Sequence, residues 1–154
     1  MAFDALIDEY VAGPHKLREA VAGMPPGEWD ARPISGKWST REVVCHLADC
    51  EPVYADRMKR IIAEEQPAIS ALNPDAFAAR LAYAARDVDE ELALIESTRR
   101  HVARILRTLS PGDFQRTANH SIDGPVTLET LLRRITEHIP HHIRFIEEKR
   151  QALS

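Results

Sequence analysis

The stretch from Thr127 to Gln151, TLETLLRRITEHIPHHIRFIEEKRQ, decides the fold of this chain. Its apolar residues recur every three or four positions, and this spacing places them along one face of an α-helix. They are Leu128, Leu131, Leu132, Ile135, Ile139, Ile143 and Ile146. Because Gly124-Pro125 precedes the stretch and Thr127 is a good N-cap residue, we expect a helix that runs to about Gln151.

Three earlier segments show the same helical period, and clusters of Pro and Gly separate them. We expect a first helix from about Phe3 to Ala22, interrupted or kinked at Gly13-Pro14, where proline removes a helix hydrogen bond. The second helix runs from the cap residue Ser39 to about Glu65, and the third from about Asp87 to Leu109. No strand pattern of any length competes with these helices.

The residues from 66 to about 86 form a long connection with a short helical piece around Asp75 to Ala79. A connection of this length can cross the whole bundle, so the second and third helices can run parallel. The sequence has no internal repeat or composition break that would mark a second domain. We therefore predict an all-α fold, a four-helix bundle in up-down-down-up order that forms one domain over residues 1–154.

The composition is that of a soluble globular chain, with 44% apolar and 29% charged residues. No apolar run approaches the roughly 20 residues that span a bilayer, and acids stand near the N-terminus where a secretory signal would carry basic residues. We therefore expect a cytoplasmic protein that binds no membrane. The net charge of -4 and the scattered arginines argue against a nucleic-acid partner. Cys45 and Cys50 point about 140° apart on one helix, so we expect free thiols.

Two histidines of the last helix are the first candidate metal ligands. His138 and His142 project toward the apolar stripe, and two imidazoles four residues apart can chelate one ion. His141 lies nearer the polar face, so we expect it to be peripheral. Buried imidazoles need polar partners because an unsatisfied polar group costs a few kcal/mol, and a metal ion would satisfy both.

His46, on the second helix, is the third candidate ligand. If the second and fourth helices are antiparallel, His46 lies about 10 Å from the start of one, and His142 lies about 12 Å from the end of the other. The three imidazoles can therefore lie at the same height along the axis of the bundle. Three neutral imidazoles suit Zn, Ni, Fe or Cu and leave a coordination position open. Asp49 either orients an imidazole N–H or is a solvated helix residue.

Other polar residues are less strongly indicated as functional-site residues. Glu51 is more typical of a surface position, although its carboxylate could act as a general base beside a metal-bound water. Cys45 is expected to be a small buried hydrophobe. His120 lacks a helical partner at ligand spacing, and Trp38 is expected to be a packing residue.

The residues Lys37-Trp38-Ser39, the run from His46 to Glu51, and the pair His138 and His142 together resemble the DinB-like superfamily of small bacterial metalloproteins. The resemblance covers nearly the whole chain. It implies an up-down-down-up bundle, a zinc or nickel ion held by histidines matching His46, His138 and His142, and a homodimer. Pro140 departs from the family's pattern, which makes His141 the alternative ligand.

Members of this superfamily include thiol-dependent S-transferases and hydrolase-like enzymes, so the resemblance implies a metal-dependent hydrolase or thiol S-transferase. The substrate would be a small molecule, with thiols among the candidates. The alternative is a non-catalytic metal-binding module or a dimeric interaction module. A metal-free bundle is the third hypothesis, and it holds only if His46 lies far from the other two histidines.

Overall fold

The computed structural model describes residues 2–154 and is mostly helical. The helices are α1 (Asp4–Val21), α2 (Thr40–Ala63), α3 (Pro74–Arg80), α4 (Val88–Leu106) and α5 (Leu128–Leu153). The strands are β1 (Ala68–Ile69), β2 (Thr117–His120) and β3 (Gly124–Thr127). Within residues 2–154, no helix combines the length and the apolar character that crossing a bilayer requires.

The two helices that carry the histidines begin at the predicted caps. The Ser39 hydroxyl accepts a hydrogen bond from the Glu42 N–H at 3.2 Å, and the Glu42 carboxylate accepts one from the Ser39 N–H at 3.1 Å. This reciprocal pair is a capping box, and it sets the start of α2. Thr127 caps α5 by accepting a hydrogen bond from the N–H of Thr130 at 3.0 Å. Both starts are as predicted.

Of the two alternatives predicted at Gly13-Pro14, an interruption or a kink, the interruption is wrong, because α1 is continuous through Pro14. Proline leaves the carbonyl four residues earlier, that of Tyr10, without its helical donor. Arg99 Nη1 of α4 donates to this carbonyl at 2.7 Å and replaces the missing bond. Gly13 provides the space, since a Cβ there would lie 2.4 Å from the same Nη1 atom.

The four long helices form a bundle in which α1 packs against α4 and α5, and α2 packs against the same two helices. Arg107, just after the end of α4, pairs with Asp8 near the start of α1 at 2.7 Å, so these helices are antiparallel. Arg150, near the end of α5, donates to the carbonyl of Ala20 near the end of α1 at 2.9 Å, so these helices are parallel.

The direction of α2 follows from Arg116, which precedes β2. Arg116 donates to the carbonyl of Ile61 at the end of α2, at 2.8 Å. The carbonyl of Arg116 accepts a hydrogen bond from the N–H of Leu128 at the start of α5, at 3.0 Å. The end of α2 therefore lies beside the start of α5, and these two helices are antiparallel. The up-down-down-up order is confirmed, with segment 64–87 as the long crossover.

The structure also contains a small sheet that the sequence pattern did not indicate, with β1, β2 and β3 in that order. The strand β1 pairs parallel with β2, and β2 pairs antiparallel with β3. The strands have only two to four residues each, too few to show an alternating pattern. The sheet ties the crossover to the segment before α5 and so brings residues 71–74 and 120–123 beside α2 and α5.

The surface position expected for Glu51 is also wrong, because its side chain is fully buried at the centre of the bundle. Arg99 donates to Glu51 Oε1 from Nε at 2.9 Å and from Nη2 at 2.6 Å. The same guanidinium donates to the Tyr10 carbonyl and to the Ile135 carbonyl, each at 2.7 Å. One arginine thus connects all four long helices. Its partner on α2 is 48 positions away in sequence, so no local pattern indicates the pair.

Candidate metal centre

The structure brings together the three predicted histidines between α2 and α5. The ring centroids of His46 and His138 are 4.9 Å apart, those of His46 and His142 are 4.8 Å apart, and those of His138 and His142 are 4.7 Å apart. The ring planes are inclined to one another by 68–88°. His46 Nε2 lies 3.1 Å from His138 Nε2. The three imidazole rings therefore form one compact cluster.

The helical turn between His138 and His142 is intact, because α5 continues through Pro140. Residues four apart on a continuous helix share a face, which explains why these two rings are neighbours. His141 instead is exposed, and its Nδ1 lies 3.0 Å from Arg144 Nη2 on the outer side of the helix. The pair His138 and His142, and not His141, therefore lies next to His46.

The environment keeps the three imidazoles neutral near pH 7. Burial lowers the pKa of His46. Burial, together with the charge that neighbouring imidazoles would carry, lowers the pKa of His138 to about 3 and that of His142 to about 3. A neutral imidazole has one lone pair available, which is the state that binds a metal ion.

The histidine nitrogens show two features that are typical of a metal site. His138 Nδ1 and His142 Nδ1 are buried without a hydrogen-bond partner in the described chain. Buried polar atoms without partners are costly, so His142 Nδ1 is suited to bind a further group. His138 would bind an ion through Nε2, the nitrogen that faces His46. In a tetrahedral zinc site, two ligand nitrogens about 2.05 Å from the metal are about 3.3 Å apart. The 3.1 Å between His46 Nε2 and His138 Nε2 is close to that spacing.

Cys50, predicted from the sequence only to be a free thiol, is a fourth candidate donor. Its Sγ lies 3.9 Å from His46 Nδ1 and 4.0 Å from His46 Nε2. The potential ligand atoms of His46, Cys50 and His138 all lie within 4.8 Å of one another. The spacing of four residues after His46 was the available signal. Burial raises the pKa of Cys50 to about 12, which favours the neutral thiol.

The expectation that Asp49 orients an imidazole does not hold in this structure. Its carboxylate accepts hydrogen bonds from Tyr83 Oη and from Arg86 Nη2, each at 2.8 Å. Its side chain is partly exposed, and no hydrogen bond to His46 is found between residues 2 and 154. It instead ties the crossover to α2, and its partners lie more than 30 positions away along the chain.

Two cavities reach the histidines from different sides. The first, of about 260 Å³, is lined by His142, Trp38, Phe145 and Lys149 among others. The second, of about 330 Å³, is lined by His46, Cys50 and His138 among others. Trp38 also packs on His46, with ring centroids 5.0 Å apart, so it belongs to the surroundings of the site. A small molecule can therefore approach the histidines without crossing the bundle core.

Comparison with known proteins agrees with this arrangement. The sequence profile of the DinB superfamily matches residues 9–146. The chain is 33% identical over 136 residues to a Bacillus subtilis protein named "Putative metal-dependent hydrolase YfiT", a match covering 88% of this chain and 76% of the relative. A "Putative metal-dependent hydrolase" from Oceanobacillus iheyensis is 30% identical over 140 residues, with 91% of this chain and 81% of the relative covered.

Solved structures show the same fold. The structure of YfiT from Bacillus subtilis, described as "a probable metal-dependent hydrolase with an unusual four-helix bundle topology", matches with a TM-score of 0.91 at 31% identity. The match covers 97% of this chain and 86% of that one. A mycothiol-dependent maleylpyruvate isomerase shares the fold at 14% identity, with a TM-score of 0.71, 93% of this chain and 60% of that one covered. The histidine cluster, the bundle order and the matched sequence lead to one conclusion: the chain belongs to the DinB superfamily.

Proposed function

We propose that this protein is a metal-dependent hydrolase in which His46, His138 and His142 hold one divalent cation. The observation that carries the proposal is the cluster of three neutral imidazoles with centroids 4.7–4.9 Å apart. The names of the two relatives support it. Imidazole ligands suit zinc or nickel, and we propose one of these as the native ion.

Three protein ligands leave a position for a further molecule, and a divalent cation held there lowers the pKa of water and polarises a carbonyl oxygen. The residues around the histidines would orient the substrate and limit the access of water to the site. Trp38 covers one side of His46, and the two cavities give a small molecule access to His142 on one side and to His138 on the other.

The carboxylates nearest in sequence to His46 are all held by arginines. Glu42 pairs with Arg32, Asp49 with Arg86, and Glu51 with Arg99. A carboxylate that is fixed in an ion pair is poorly placed to act as a general base, because the guanidinium already occupies its oxygens. We therefore propose that protons released in the reaction pass to solvent through the cavities and that none of these three residues accepts them.

Transfer to a thiol acceptor would use the same three histidines, and a non-catalytic metal-binding module would use them without a substrate. The adjoining cavities favour an enzyme over the module, since a purely structural site is usually closed by a fourth protein ligand. The small-molecule substrate, the homodimer and the cytoplasmic location remain predictions.

Hydrolysis by the metal-reconstituted protein tests the proposal. Aryl esters and amides would be offered with zinc or nickel, with and without a thiol acceptor such as cysteamine. We expect turnover that is lost in His142→Ala and retained in His141→Ala, a matched control because His141 is its exposed neighbour. Product formation only with the thiol would favour S-transfer. Equal turnover in both variants, or none in any arm, would contradict hydrolysis at this site.

A further inference from the structure

The cavity of about 330 Å³ extends well beyond the histidines. Along α2 it is lined by His46, Cys50, Tyr54 and Arg57, which follow one another on the same helical face. Arg57 lies eleven residues after His46, which corresponds to about 16 Å along the helix axis. Cavities of this size typically hold a small molecule, with a few polar groups that fix its orientation. The proposed hydrolase site uses only the histidine end.

Arg57 is a buried cation without a protein counter-ion. It is 6% exposed, donates one hydrogen bond to the Ser70 carbonyl, and lies over the Tyr54 ring at 5.0 Å. It forms no ion pair with any carboxylate between residues 2 and 154, and its Nε has no partner there. Arg99, the other deeply buried arginine, is paired with Glu51. A buried charge is costly unless it is paired, so Arg57 is suited to an anion from outside the chain.

His120 presents a second donor to the same cavity. Its Nδ1 accepts hydrogen bonds from the backbone N–H groups of Ile122 and Asp123, each at 3.1 Å. Because Nδ1 therefore carries the lone pair, the ring hydrogen lies on Nε2. The side chain is 9% exposed and lines the cavity. No local sequence pattern indicates this role for His120, since its neighbours in the cavity come from other elements.

The only carboxylate that lines the described cavity is already balanced. Asp123 pairs with Arg134 at 2.9 Å, and Arg134 lies one helical turn before His138 on α5. No carboxylate that lines this cavity is therefore available to pair with the positive charge of Arg57. The cavity offers an unpaired guanidinium and an imidazole N–H but no unpaired acid.

We propose that this cavity binds an oxyanion of the substrate, with Arg57 and His120 as the donors. Arginine is well suited to this role because its planar fork matches carboxylate and phosphate oxygens. The substrate class is then a small anionic molecule, a carboxylate or a phosphate ester, whose anionic group binds here while its reacting bond lies at the histidines. The position of the reacting bond at the histidines rests on the proposed hydrolase function, whereas the oxyanion site does not.

Nuclear magnetic resonance of the ¹⁵N-labelled protein tests the oxyanion site directly. The Nε–H signal of Arg57 and the ring signals of His120 would be followed during titration with sodium acetate and, separately, with inorganic phosphate. Sodium chloride at equal ionic strength is the control. The titrations would be run on protein as purified and after chelation, so that an anion bound to a metal ion is recognised. We expect saturable shifts with at least one oxyanion in both preparations.

The variants Arg57→Met and His120→Asn separate the two donors. The asparagine oxygen can replace Nδ1 as the acceptor of the backbone N–H groups, which preserves the turn. Arg60→Met is the matched control, because Arg60 lies on the same helix, is paired with Asp56, and does not line this cavity. We expect about a tenfold loss of affinity in the first two variants, the effect of losing one charged hydrogen bond, and an unchanged affinity in the control.

Each outcome bears on only one of the two proposals. Shifts that are not saturable, or that Arg57→Met and His120→Asn leave unchanged, would overturn the oxyanion site. If Arg57→Met fails to fold, His120→Asn and the wild-type titration still decide the question. Binding that disappears on chelation would place the anion on a metal ion and overturn this inference alone. Saturable binding to a protein that never holds metal would retain the oxyanion site and contradict the hydrolase.

Discussion

Replacing Arg99 with Met should remove the main polar connection of the bundle. The substitution deletes the four hydrogen bonds to Glu51, Tyr10 and Ile135. It leaves Glu51 buried without a counter-ion, and losses of this kind cost about 3–5 kcal/mol. Each kcal/mol lowers the melting temperature of a chain of this size by about 2–4 °C, so we expect a decrease of roughly 10 °C.

The pH dependence of this loss follows from Glu51. Burial raises the pKa of Glu51, while Arg99 opposes that shift. Without Arg99 the folded-state pKa rises further above the unfolded value, so the folded variant gains stability from protonation as the pH falls. The stability deficit of Arg99→Met relative to wild type should therefore shrink between pH 8 and pH 5.

Urea unfolding of wild type, Arg99→Met, Glu51→Leu and the double variant gives the assay. The double variant should be more stable than Arg99→Met, because it no longer buries an unpaired carboxylate. The interpretation would be refuted by a loss below about 1 kcal/mol in Arg99→Met, or by a double variant no more stable than that single variant.

Three further predictions concern single positions and pH. Gly13→Ala should lower the free energy of unfolding by about 1–3 kcal/mol, because its Cβ would meet an arginine nitrogen at 2.4 Å. Gly27→Ala, where a Cβ meets nothing within 4 Å, should be neutral in the same urea assay, and equal effects would contradict the steric reason. Cobalt-loaded protein should lack a strong thiolate-to-cobalt absorption band if the three histidines alone hold the ion; a band that Cys50→Ser abolishes and Cys45→Ser retains would show a sulfur ligand instead. The metal-free protein should lose stability below about pH 6.5, because the unfolded histidines take up protons there, whereas the folded pKa of both α5 histidines is about 3. A flat stability profile between pH 6.5 and pH 4 would contradict this.

The long helices could be predicted from sequence because their signals are local. Apolar residues at helical spacing, with Ser39 and Thr127 as caps, were sufficient to predict α2 and α5. The histidines followed from the same spacing, since antiparallel helices bring His46 level with the pair on α5. The family resemblance implied the same bundle order and the same three histidines.

The features that sequence reasoning missed depend on partners from distant elements. Pro14 does not interrupt α1, because Arg99 of α4 satisfies the carbonyl that proline leaves free. Asp49 turned out to bind Tyr83 and Arg86 of the crossover. The short strands carry too few residues to show a period, and His120 is near the site only because the sheet holds it there.

The metal content of untagged protein, measured by elemental analysis, tests the three-histidine site most directly. Wild type would be compared with His46→Ala, His138→Ala and His142→Ala, with His141→Ala as the control. About one equivalent of zinc or nickel per chain, retained in the control and lost in the other three variants, is the expected result. No metal in wild type, or metal that survives all three substitutions, would contradict the site.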